Sequence, residues 1–306
     1  MPPQAVLPTP DPTRTLSTEN PALRRIVRVR DAEMAYIDIG EGNPIVFLHG
    51  NPTSSFLWRN VIPHVEGLGR IIAPDFIAHG HSSTSPRDAY RFADNIDYFD
   101  AFFEALDLTR NVTLVLHDWG AAVGFYRAAR FPEQIRAIAY MEAMVWPRHW
   151  SDMPPDRVET FKRFRTPEGT REALETNIFT EVMLFERGIV RTLSDAEKAV
   201  YRYPVVRPGG TSLPGIVMPN DIPFDGDPAD NHALVKFYSD WLKDSDVPKL
   251  FVNADEGHGL AGAAREFARS FRNQKEVTVT ARHYLQEDAP DVIGSAIADF
   301  VRGLPG

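Results

Sequence analysis

Three side chains able together to break and remake a covalent bond sit at the ends of three apolar runs. Asp118 closes "NVTLVLHD" and is followed by Trp119 and Gly120, Glu142 follows "IRAIAYM", and His283 lies near the end of "KEVTVTARHY". A carboxylate at a strand-to-helix elbow can act as a nucleophile, forming an ester that divides one hard displacement into two easier ones. Serine is the commoner residue at such a tip. An aspartate opening a helix is also an ordinary N-cap, so Asp118 by itself leaves both roles open. Glu142 alone reads equally as a solvated acid, and His283 as a histidine packed at a strand end. Order and position bind them together. Nucleophile, acid and base follow one another along the chain, each at the carboxyl end of a strand, so all three would meet at one mouth.

The elements that must position them are legible as two textures. Residues 25–30 and 33–39 alternate like an opening antiparallel pair. The runs 43–50, 69–76, 111–118, 135–143, 247–255 and 275–284 are compact and rich in Val, Ile, Leu and aromatics, as in strands buried on both faces. Helical patterns lie between them: Ile96, Phe99, Phe103 and Leu106 form one stripe, and 120–130, 261–271 and 288–304 read as amphipathic helices. This alternation predicts an α/β fold with a mostly parallel, doubly wound sheet. Residues 147–228 break it. They read as short helices and then a Pro/Gly-rich stretch, predicting a helical cap inserted over the carboxyl ends of the strands. The expected organisation is a flexible tail over 1–22, a core made of 23–146 and 229–306, and a cap over 147–228.

Composition narrows the partners. The 306 residues are 43% hydrophobic and 25% charged, with a formal charge of −9 and no cysteine. An acidic chain argues against nucleic acid and against an anionic membrane surface. Without cysteine there is no disulfide, thiolate metal site or cysteine nucleophile. No apolar run approaches a membrane span, and "MPPQAVLPTPDPTRTLSTENPALRR" lacks the basic and apolar regions of a secretory signal. The reading is a cytoplasmic protein, with the periplasm left open, acting as a monomer or small homo-oligomer on a small molecule. "HGH" at 79–81 is the only stretch hinting at a metal, and nothing supports it, so neither metal nor organic cofactor is expected.

The stretches HGNPTSS (49–55), HDWG (117–120), MEA (141–143) and HYLQEDAPD (283–291) resemble the haloalkane dehalogenases of the α/β-hydrolase superfamily, over roughly residue 25 to the C-terminus. The resemblance implies an α/β-hydrolase fold, Asp118 as nucleophile, His283 as base and Glu142 as the acid orienting it. Asp255 is the reserve acid, since some members carry theirs after the penultimate strand. It also implies Asn51 and Trp119 as the halide clamp, with their backbone N–H groups as the oxyanion hole. An amide and an indole are neutral donors, able to receive a soft anion without pairing with Asp118. The substrates would be a halogenated alkane and water, the products an alcohol and halide. Three positions depart from the family pattern: Ala78 replaces a glycine, Met218 stands in "VMPNDIP", and His258 enters a region often apolar in relatives. Trp146, Phe179, Val205, Met218 and His258 are the expected pocket lining. An epoxide hydrolase using Tyr201, Tyr203 or Tyr238, a coelenterazine-type luciferase and a non-catalytic ligand-binding hydrolase fold are the competing readings.

Overall fold

The computed structural model describes residues 16–19 and 24–305. Eight strands form one sheet: β1 (Arg24–Val29), β2 (Ala32–Ile39), β3 (Pro44–Leu48), β4 (Arg70–Pro74), β5 (Val112–His117), β6 (Ile135–Met141), β7 (Lys249–Ala254) and β8 (Gln274–Val279). Their order is β1-β2-β4-β3-β5-β6-β7-β8. β2 pairs antiparallel with β1 and β4, and every other pairing is parallel.

The apolar runs explain this layering. Ile45 and Phe47 of β3 face one core while Val46 and Leu48 face the other, and β4, β5 and β6 split the same way. Both faces are therefore buried and need helices over them. Helices α1 (Phe92–Ala105) and α2 (Asp118–Arg130) cover one face. On the far face, after the short α9 (Leu285–Asp288), lies α10 (Pro290–Arg302). Its proline sits at the first turn, where a missing N–H costs nothing.

Chain winding reverses at β3. From there the chain crosses to β4 on one side and then to β5 on the other. At such a switch point the loops after the two neighbouring strands diverge and leave a crevice at their carboxyl ends. The register pairs Leu48 with Leu116, so Gly50 and Asp118 follow two residues later on adjacent strands. The sheet thus brings the loop with Asn51 against the elbow.

Between β6 and β7 the chain is wholly helical or irregular: α3 (Pro155–Phe164), α4 (Pro167–Thr176), a π-helix (Phe179–Arg187), α5 (Asp195–Val206), α6 (Pro214–Asn220) and α7 (Ala229–Asp244). α6 and the last turn of α5 lie where the sequence reads as a Pro/Gly-rich stretch. Pro214 sits in the first turn of α6, and Ser194 with Glu197 forms a reciprocal cap on α5. Proline marked helix starts there as much as loops. α7 went unread although Val235, Tyr238 and Leu242 mark a buried stripe, and α8 (Gly262–Arg269) follows β7. Of the expected flexible tail, most lies outside the described residues. Within it Leu16 is buried and the Ser17 carbonyl accepts a bond from Arg59 Nε at 2.5 Å, so these two residues are tied to the core while 18 and 19 are exposed.

A buried ion cluster fastens the insertion to the sheet. Arg59 donates to Glu287 Oε1 at 2.6 Å and to Glu197 Oε1 at 2.8 Å, and Arg191 Nη2 adds a 2.6 Å bond to Glu197. Glu287, Glu197 and both arginines are buried, so truncating any one would leave an uncompensated charge. Among the described residues no helix is long and apolar enough to cross a membrane.

Candidate active site

Asp118 opens α2 with φ of 50°, in the left-handed region that a non-glycine residue rarely adopts. Two glycines permit this elbow. A Cβ on Gly120 would lie 2.3 Å from the Leu48 carbonyl oxygen, and one on Gly50 would lie 2.3 Å from Asp118 Oδ1. With both absent, the β3 loop closes on the carboxylate and the Asn51 backbone N–H donates to Asp118 Oδ1 at 2.9 Å. Asp118 Oδ2 lies 3.5 Å from His283 Nε2. One oxygen is thus held by the backbone, while the other faces the imidazole.

His283 is held from behind. Its Nδ1–H donates to Glu142 Oε2 at 2.9 Å. Glu142 also stands at positive φ, 45°, and accepts backbone N–H groups from His258 (2.7 Å), Gly259 (2.6 Å) and Leu260 (3.2 Å). Burial would push the Glu142 carboxyl up, but His283 and these N–H groups hold it down at about 2. Burial would push the His283 imidazole down, yet the Asp118 and Glu142 carboxylates raise it to about 9. Burial likewise works against ionised Asp118, and His283 overrides it, leaving that pKa below its ordinary value. Asp255 is engaged elsewhere. Its oxygens accept from Glu256 N at 2.8 Å, Thr280 Oγ1 at 3.0 Å and Ala281 N at 3.2 Å, tying the β7 loop to the β8 loop.

Asn51 and Trp119 line one cavity of about 200 Å³ together with Asp118, Glu142 and His283. Among the described residues no acceptor takes up the Trp119 indole N–H, and Asn51 Nδ2 has only the Gly215 carbonyl, at 3.5 Å. Two neutral donors therefore stand underused beside a carboxylate. The "HGH" stretch serves this pair: buried His79 places Nε2 3.2 Å from Asn51 Oδ1 and Nδ1 3.0 Å from the Ile77 carbonyl. Among the described residues no histidine, aspartate and glutamate group could hold a metal ion. Tyr284, unread in the sequence, donates its hydroxyl to the Asn51 carbonyl at 2.9 Å and fixes the loop.

Of the expected lining, Phe179 and His258 face the cavity. Trp146, Val205 and Met218 do not. Trp146 packs its ring on Phe267 at 5.0 Å on the core side of the β6 exit, where Ala143 and Met144 take the wall instead. Met218 is buried in the main core because Pro219 and Ile222, one position on and three further along, carry the cavity-facing side. Val205 sits half-buried on α5, whose Glu197 is tied to Arg59, and does not line the cavity. The sequence also missed Arg148, Arg157 and Arg187 in the wall. Their helical surroundings read as charged surface, and no motif marks them. The tyrosines that would activate an epoxide lie elsewhere: Tyr201 bonds Glu287, Tyr238 donates to the Met144 carbonyl at 2.8 Å, and Tyr203 stacks on His81.

Strand order and elbow define an α/β hydrolase, and the family described as alpha/beta hydrolase fold matches residues 43–290. Relatives sharpen this. The haloalkane dehalogenase of Sphingobium indicum strain B90A is 46% identical over 284 residues, which is 92% of this chain and 96% of that protein. That of Mycolicibacterium smegmatis is 45% identical over 90% of each chain. The crystal structure of haloalkane dehalogenase DbeA from Bradyrhizobium elkani USDA94 superposes with a TM-score of 0.86 at 36% identity, covering 92% of this chain and 98% of that one. The chain belongs to the haloalkane dehalogenase family.

Proposed function

We propose that this protein hydrolyses haloalkanes through an ester on Asp118, with Glu142, His283, Asn51 and Trp119 completing the site. The observation that carries this reading is the division of labour at the Asp118 carboxylate, with Oδ1 on a backbone N–H and Oδ2 turned to the cavity and His283. Oδ2 attacks the halogen-bearing carbon from behind, the C–O bond forms, and the C–X bond electrons leave with the halide. Asn51 Nδ2 and the Trp119 indole N–H receive the anion as its charge develops. Neither is cationic, so neither pairs with the nucleophile and blunts it.

The second half follows from charge. Esterification removes the Asp118 charge, one of the two carboxylates holding the His283 pKa near 9, so the ring releases its proton and becomes a base. Held by Glu142 in the Nδ1–H tautomer, its Nε2 takes a proton from water, whose oxygen attacks the ester carbonyl carbon. The oxyanion forms on Oδ1, beside the Asn51 backbone N–H and that of Trp119, which also bonds the Asp118 carboxylate. Collapse frees the alcohol and restores the carboxylate. The helical segment 147–228 acts as the cap that closes this cavity from water.

Halide release from 1,2-dibromoethane tests the activity, with Asp118→Ala abolishing it. His283→Phe should stop after the first half and accumulate protein heavier by the alkyl group in an intact-mass spectrum. Unaltered mass in that variant, with halide still released catalytically, would overturn the scheme.

A further inference from the structure

The cavity wall carries more positive charge than removal of halide from a neutral alkane requires. Arg148 donates to the Gly259 carbonyl and so has a structural partner. Arg157, on α3, and Arg187, at the end of the π-helix, also line the cavity. Among the described residues neither guanidinium makes a hydrogen bond, ion pair or ring contact. Asp156 neighbours Arg157 along the helix, but their side chains form no ion pair within 4.0 Å. Such freedom is unusual here: most arginines of this acidic chain are paired, as Arg163 is with Glu172 and Arg202 with Glu181 one element away.

We propose that Arg157 and Arg187 form a subsite for an anionic group, so that the preferred substrates are haloalkanes bearing a carboxylate, or a like oxyanion, at the end remote from the halogen. This rests on the dehalogenase reading and names the substrate class of that same site. Asp118 and Glu142 line the same cavity and repel a second anion, which sets the polarity of binding. The halogenated carbon goes to Asp118 and the oxyanion to the arginines. Burial pushes the Arg157 pKa down despite the nearby Asp156 and Glu142 carboxylates, with Arg187 acting in the same direction as burial, and a bound carboxylate would relieve that penalty. Guanidinium groups suit this task because they offer two parallel donors to a carboxylate.

The test compares ω-bromoalkanoates of about four to eight carbons with the ω-bromoalkanamides of equal length, a range set by the modest cavity volume. The readout is the ratio of kcat/KM, carboxylate over amide, so that any loss common to both cancels. At one or more lengths the unaltered enzyme should favour the carboxylate at least about tenfold, or about 1.4 kcal/mol. Arg157→Gln/Arg187→Gln should bring that ratio to about one or below, and high salt should shrink it in the unaltered enzyme. A ratio at or below one at every length, or one unmoved in the double variant, overturns the proposal. Calorimetric binding of the unhalogenated alkanoate and alkanamide reads the same arginines without turnover. If alkanoate binds tighter and the difference vanishes in the double variant while no bromide is released from any substrate, the subsite stands and the dehalogenase reading falls. If bromide is released but the two ligands bind alike, the reverse holds.

Discussion

Replacing Glu142 with Gln removes one charge and leaves the shape. The native carboxylate accepts four N–H groups, three from the backbone of 258–260 and one from His283 Nδ1. Its pKa of about 2, against an ordinary 4.5, means the fold prefers the charged over the neutral form by about 3 kcal/mol. An amide resembles the neutral form and should forfeit a comparable amount. Its single oxygen would stay at the Oε2 position with the His258 and Gly259 N–H groups and His283 Nδ1–H, leaving its NH₂ facing the Leu260 N–H. The Nδ1–H tautomer is kept, but a neutral amide no longer stabilises the imidazolium that forms as Nε2 takes a proton from water. A loss of about 3 kcal/mol in the hydrolysis step corresponds to about 10²-fold in rate. Alkylation needs no base and should survive. In rapid-quench experiments with 1,2-dibromoethane, Glu142→Gln should release about one bromide per site in a burst, then stall as alkylated protein. Steady turnover within threefold of the unaltered enzyme, with no ester trapped, would refute the assignment of Glu142. If Asp255→Asn stalled instead, the acid would have been placed after the wrong strand.

Other consequences follow from the same geometry. Trp119→Phe keeps the ring and removes one halide donor, and should lower kcat by about 10²–10³ with bromoalkanes in a halide-release assay. Gly50→Ala would set a Cβ 2.3 Å from the Asp118 Cβ and Oδ1, and should abolish halide release while circular dichroism stays close to that of the unaltered protein. Stability should fall on acidification. Burial pushes His49 and His79 down to about 3 and His117 to about 4 from 6.5, so the unfolded chain takes up their protons first. Their contribution is complete above pH 6.5 and is lost as pH falls through that window, at about 1.4 kcal/mol per histidine per pH unit, with Glu142 adding below 4.5. On the alkaline side, raised His283 contributes fully below 6.5 and less as pH climbs through about 9. Thermal melts across pH 4–10 should therefore peak near neutrality, and a flat profile down to pH 4 would contradict these burial effects.

The centre of the sheet was readable because β3 to β7 are buried on both faces and so written in largely apolar runs, appearing where "NPIVFL" and its counterparts do. α7 escaped because its buried positions are spaced among charges, as "ADNHALVKFYSDWLKD" shows. Asp118, Glu142 and His283 were legible from strand ends, since chain order fixes which end of a parallel strand points to the mouth. The lining was not. Whether Met218 or Pro219 faces the cavity depends on the rotation of one short helix, and a single residue's shift of about 100° exchanges core for wall. Arg157 and Arg187 escaped because an arginine's role depends on whether a carboxylate stands opposite, which no local pattern records.

The ester is the central claim, and oxygen isotopes reach it directly. In a single turnover of excess enzyme with a bromoalkane in H₂¹⁸O, the alcohol should carry ¹⁶O from the carboxylate, and the peptide containing Asp118 should gain one ¹⁸O. Labelled alcohol with an unlabelled Asp118 peptide would mean that water attacks carbon directly and that no aspartyl ester forms.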